Sequence, residues 1–167
     1  MSTHTPNRTH AFAAHLTWDG NHGTGTATYA GYGREYRIGF AGKPTIAGSA
    51  DVAFRGRPDR PNPEELLVAA LSACHMLAYL ALCARNGVRV VAYEDAASGT
   101  LAFDDDGGRF TEVVLAPKVT VATDADRALA LRLHDTAHER CFIARSCSVP
   151  VHHHATVTVA AASEVPA

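Results

Sequence analysis

The sequence predicts an α+β fold with a mostly antiparallel sheet, assembled as a homodimer around one long buried helix. Three observations carry this. Strand-like segments come in runs separated by single helices, the pattern of α+β proteins rather than doubly wound ones. One helical segment, about 62–86, is apolar on every side. A strong hairpin signal, Asp104-Asp105-Asp106-Gly107-Gly108, sits between two strand-like runs. A helix with no polar face is hard to cover with one small sheet, and a second copy of the chain is the economical cover.

The long helix has well-marked ends. Asn62 can cap it, Pro63 suits its first position, Glu65 stands three after the cap, and Asn86-Gly87 supplies a left-handed stop. Leu66 to Ala84 carries no charge; at about 28 Å it is long enough for a bilayer. Six alanines and a polar seam of Ser72, His75 and Tyr79, without flanking basic excess, instead favour the centre of a globular assembly with no membrane role.

Before this helix, the segments 10–18, 24–33 and 34–40 read as three strands rich in Thr, Tyr and alternating apolar residues, and 43–61 as a loop with an extended stretch at Val52-Ala53-Phe54. After Gly87, three strands are expected within 88–122. A second helix follows at about 124–145, started by Asp124, with Ala128, Leu129, Leu131, Leu133 and Ala137 as its apolar face. One last strand lies in 148–160. Residues 1–167 form a single domain in this reading, with 1–9 and 161–167 frayed.

A net charge of −2 and no Lys/Arg cluster argue against nucleic acid as a partner. The polar start has no apolar run behind it, and four unevenly spaced cysteines do not resemble a secreted disulfide framework, so a reducing cytoplasm is the expected compartment.

The cysteines decide the function. Cys74 and Cys83 lie on opposite sides of one helix and cannot bridge. Cys74 with Cys141, one from each helix, makes a redox pair; equally, all four can be small hydrophobes. An ionised Cys74 needs a cation, since burial disfavours the thiolate and the helix start is three turns away. A guanidinium at about 4 Å supplies on the order of 4 kcal/mol at an effective dielectric of 20. Arg34, Arg37, Arg55, Arg57 and Arg60 all precede the helix, and composition does not choose among them.

The stretch NPEELLVAALSAC and the later AHERCFIA resemble the OsmC/Ohr family of thiol-dependent hydroperoxide reductases, over most of the chain. The resemblance implies an intertwined α+β homodimer with sites at the subunit interface. By motif position, it makes Cys74 the peroxidatic cysteine and Cys141 the resolving one. Arg34 would hold the thiolate and Glu64 would orient that arginine. Phe142 follows Cys141 where well-known members carry proline. The implied substrate is a small apolar hydroperoxide. No cofactor is implied beyond an external dithiol reductant of lipoyl or thioredoxin type.

Ten histidines raise a metal reading, with His134 and His138 at i, i+4. No HExxH motif or third ligand accompanies them, so no metal site is expected and the histidines read as solvent-facing, with His75 in the polar seam. Competing functions are an OsmC-fold dimer binding an apolar ligand without catalysis, a redox sensor, and a metal-dependent hydrolase.

Overall fold

Asn62 and Glu65 close a reciprocal cap: the Glu65 N–H donates to Asn62 Oδ1 at 2.8 Å and the Asn62 N–H donates to the Glu65 carboxylate at 3.0 Å. From this cap α1 (Pro63–Arg85) runs unbroken for 23 residues. It ends as the sequence requires, with Gly87 at φ 73. The Val88 N–H returns to the Cys83 carbonyl at 2.9 Å and the Gly87 N–H to that of Ala84 at 3.3 Å. Val88, just beyond the stop, is buried.

The computed structural model describes residues 9–105 and 107–161; the tails expected to fray lie almost wholly outside the described residues. The chain forms two compact units, the first ending at Glu65 and the second starting at Leu66.

In the first unit β1 (His15–Trp18), β2 (Tyr36–Phe40) and β3 (Lys43–Gly48) form an antiparallel sheet in that order. Two expectations change here. The Thr- and Tyr-rich segment 24–33 is a series of turns, not a strand. The Asn21 side-chain carbonyl accepts from the N–H groups of Gly23 and Gly25, and both glycines have positive φ, which strand pairing excludes. The third strand comes instead from the start of the expected loop, and Val52–Phe54 is a 3-10 turn capped by Asp51. No hydrophobic side chain among the described residues up to Glu65 belongs to the buried core.

The second unit contains β4 (Val90–Asp95), β5 (Ser98–Asp104), β6 (Gly107–Leu115), β7 (Pro117–Val121), α2 (Asp124–Arg140), α3 (Phe142–Ser146), β8 (Val151–His153) and β9 (Thr156–Val159). Two mixed sheets result, in the orders β4-β7-β9 and β5-β6-β8. The β5–β6 hairpin forms where the Asp/Gly turn predicts. Four strands stand where three were expected, because the Ala116 N–H leaves the ladder to bind Asp95 Oδ1 at 2.7 Å and separates β6 from β7. The expected last strand is likewise two, β8 parallel to β6 and β9 parallel to β7.

The architecture is therefore α+β with antiparallel and mixed sheets. Along α1, Leu71 packs into one apolar cluster with Val113 and Leu115. Tyr79, Leu82 and Cys83 pack into another with Val119, Val121, Leu133 and Ala137. The opposite side, Ala69, Ala70, Ala73, Leu77, Ala81 and Ala84, is exposed in this single chain. The helix thus has the length and composition to cross a bilayer, but one face is embedded in its own sheets.

The second helix differs from expectation. It stops at Arg140, Cys141 adopts an extended conformation (φ −69, ψ 112), and α3 starts at the next residue. Thr123, not Asp124, takes the N-cap position. The buried face is Ala130, Leu133, His134 and Ala137, while Ala128 and Leu131 are exposed. The spacing i, i+3, i+4, i+7 identifies this stripe once its phase is set by the sheet.

Candidate active site

Cys74 lies near the midpoint of α1, half-buried, one residue before the fully buried His75. Cys141 occupies the break between α2 and α3, where its N–H donates to the His138 carbonyl at 3.2 Å and its own carbonyl accepts from Arg145 at 3.0 Å. The break takes the Cys141 side chain out of the regular helix and leaves it 1% exposed. Phe142 is the first residue of α3, the helix position that proline favours, so the position that resembles the family's proline still starts a helix.

The two thiols are neighbours. Cys141 is pushed up to about 11, first by burial, and also by the hydrogen bond and charge of Cys74 beside it; backbone hydrogen bonds from Ala144 and Ile143 work in the opposite sense. Both cysteines are free thiols. Cys83 is buried in the core cluster, and burial raises its thiol as well. Cys147, half-buried, lines an open groove of about 740 Å³ with Leu67, Arg109, Phe110 and Pro150.

Arg34 and Glu64 belong to the first unit. The Arg34 guanidinium donates to the backbone carbonyls of Tyr32 and Tyr29, the latter at 2.7 Å. It lies over both phenol rings, 3.9 Å from the centroid of Tyr32 and 4.5 Å from that of Tyr29, in a cation–π cradle. Glu64 is half-buried at the second position of α1. Its charge, with that of Glu65, helps raise the Tyr36 hydroxyl, whose main perturbation is burial. Among the other arginines, Arg37 pairs with Asp19 and Arg57 with Asp59, both at the surface.

The histidines depart from the solvent-facing expectation. His75 and His134 are fully buried, with Nε2 of His75 3.0 Å from Nδ1 of His134. Tyr79 stacks on His134 with centroids 3.8 Å apart. Burial, then the neighbouring histidines, bring His75 down to about 4 and His134 to about 3, so both are neutral at neutral pH. The Ser72/His75/Tyr79 seam signalled this polar cluster, because three polar groups on one side of an apolar helix need partners. Nothing in the sequence identified His134 as a partner for His75, or Asp95 as the acceptor for the Ser72 hydroxyl at 2.5 Å. Among the described residues no group of three or more His, Cys, Asp or Glu side chains is arranged to hold a metal ion.

An α+β chain that brings two free cysteines together at the break between two helices, with one on a long central helix, defines a dithiol protein. The comparisons specify the family. A family model described as OsmC-like protein matches residues 56–154. An OsmC-like protein of unknown function from Vibrio cholerae is 32% identical, with TM-score 0.79, over 89% of this chain and 100% of that one. An organic hydroperoxide resistance protein from Elizabethkingia anophelis shares the fold at 17% identity and TM-score 0.66, over 92% and 99%. An organic hydroperoxide resistance protein OsmC from Legionella pneumophila does so at 17% and 0.65, over 92% and 100%. No curated protein matches. This chain belongs to the OsmC-like family.

Proposed function

We propose that the chain is a thiol-dependent reductase of organic hydroperoxides, working as a homodimer in a reducing cytoplasm. The observation that carries this reading is the pairing of the Cys74 and Cys141 thiols. The names of the Elizabethkingia and Legionella relatives support the peroxide chemistry.

The Cys74 thiolate attacks the distal oxygen of ROOH. The O–O bond breaks, the alkoxide leaves and takes up a proton as ROH, and Cys74 becomes a sulfenic acid. Cys141 then attacks that sulfur, forming the disulfide and releasing water. An external dithiol of lipoyl or thioredoxin type reduces the disulfide by exchange. In this proposal Arg34 stabilises the negative charge on sulfur and on the departing oxygen, and Glu64 orients Arg34. The guanidinium has five N–H donors, enough to serve an oxyanion while it keeps the carbonyls of Tyr29 and Tyr32.

The homodimer is supported by two features of the described residues: the exposed alanine and Leu77 side of α1, and a first unit in which none of the described hydrophobic side chains is buried. Apolar surface at such a site favours alkyl hydroperoxides over hydrogen peroxide, since the alkyl group gains by leaving water.

The test is dithiol-dependent consumption of cumene hydroperoxide by Cys74→Ser. Loss of turnover is expected, and unchanged turnover overturns the proposal.

A further inference from the structure

The core of the second unit holds a histidine cluster that the thiol cycle leaves unused. His75 and His134 lie nearly parallel, 8° apart, and share a ring-to-ring hydrogen bond. His153 flanks them, with its centroid 5.6 Å from His75 and 6.0 Å from His134, and His138 lies 5.6 Å from His153. On the outer side, His153 Nε2 is 3.3 Å from the exposed Asp135 carboxylate. The titratable groups around the pair are Tyr79 and Cys83 on α1, Tyr93 and Asp95 on β4, Asp135 and His138 on α2, His153 on β8 and His154 just after it. Nδ1 of His75 and Nε2 of His134 are buried with no hydrogen-bond partner among the described residues. The pair therefore depends on its single shared N–H···N bond.

Its position connects it to the thiols. His75 follows Cys74 directly on α1. His134 precedes Cys141 by seven residues, about two turns, on the buried face of α2. One hydrogen bond thus joins the two helices that present the two sulfurs. We propose that His75 and His134 are positioning residues for the Cys74–Cys141 pair, setting α1 against α2 so that the sulfurs can reach bonding distance. Disulfide formation needs sulfur atoms about 2 Å apart with a restricted dihedral angle, and a displacement of about 1 Å costs on the order of a hundredfold in such a step. The inference rests on the proposed cycle for its biological use, but its geometry is tested without any peroxide.

The reduced full-length protein is treated with diamide, which oxidises a neighbouring dithiol to a disulfide while itself becoming a hydrazine. The Cys74–Cys141 bridge is quantified by peptide mapping, and Cys74 alkylation by iodoacetamide is followed in parallel. His134→Phe should form the bridge between about tenfold and a hundredfold more slowly with Cys74 alkylation unchanged. His134→Asn, whose amide can meet His75 Nε2, should restore the rate. Leu133→Ala, which loosens the same helix without touching the bond, should lower the melting temperature and leave the bridging rate near that of the parent. His75→Met against His75→Gln repeats the comparison from the other ring if His134→Phe does not fold. Equal rates in parent and His134→Phe overturn the proposal, as does a Leu133→Ala variant slowed to the same degree or an asparagine variant that rescues nothing. Failure of hydroperoxide to oxidise Cys74 would count against the proposed function and leave the diamide result standing.

Discussion

Cys141 keeps its proton at neutral pH, since burial and Cys74 together push it up to about 11. Resolution of a Cys74 sulfenic acid should therefore accelerate as pH rises above about 7, because the Cys141 thiolate fraction grows. Rapid-quench separation of sulfenate from disulfide checks this, and a flat profile would contradict it. Cys141→Ser should complete one turnover of cumene hydroperoxide, accumulate the sulfenic acid and then stall. Cys74 stood out in the sequence as a lone thiol deep in an uncharged helix, either packing or chemistry; the resemblance implied chemistry, and the structure sets Cys141 beside it. The His75–His134 contact was not legible. A histidine on α2 reads as a surface residue until the phase of that helix against the sheet is known.

The ends of α1 are the part of the fold most directly written in local sequence. Asn62→Ala removes a buried cap and leaves the Glu65 N–H unpaired, so unfolding in urea should show a loss of about 1 kcal/mol, rising to about 2. Gly87→Ala forces a side chain into a left-handed conformation at φ 73 and should cost about 1 kcal/mol. Other elements were obscured by competition between signals. Thr and Tyr propensity suggested a strand at 24–33, and the Asn21 side chain with two glycines overrode it. Nothing apolar or polar in AHERCFIA announces the break at Cys141; it is set by backbone hydrogen bonds and by the burial of that one side chain.

The parent chain should sediment as a dimer, and Leu77→Lys, placed on the exposed side of α1, should shift it to monomer. A monomeric parent would overturn the assembly. Acid should also weaken the molecule as a whole. His75 and His134 titrate near 6.5 when unfolded and at about 4 and about 3 when folded. As pH falls below 6.5 the unfolded chain takes up protons that the folded chain refuses. Stability is thus lost progressively down to about pH 4 and below, at up to about 1.4 kcal/mol per pH unit for each ring. Thermal unfolding between pH 7 and 4 should show this slope, and His134→Asn should reduce it. Fold class was readable from the order of strand runs and helices. The pairing of β8 and β9 with β6 and β7 was not, because parallel partners far apart in the chain leave no local mark.

That pairing has a consequence for how the protein is made. Both mixed sheets of the second unit are completed only by the stretch from Val151 to Val159, so each waits until that stretch has been translated. Until those residues clear the ribosome, β6 and β7 each lack one neighbour and the nascent product holds open backbone edges. A message truncated before Val151 would release a polypeptide with Cys74 and Cys141 present and neither sheet completed, a substrate for proteases.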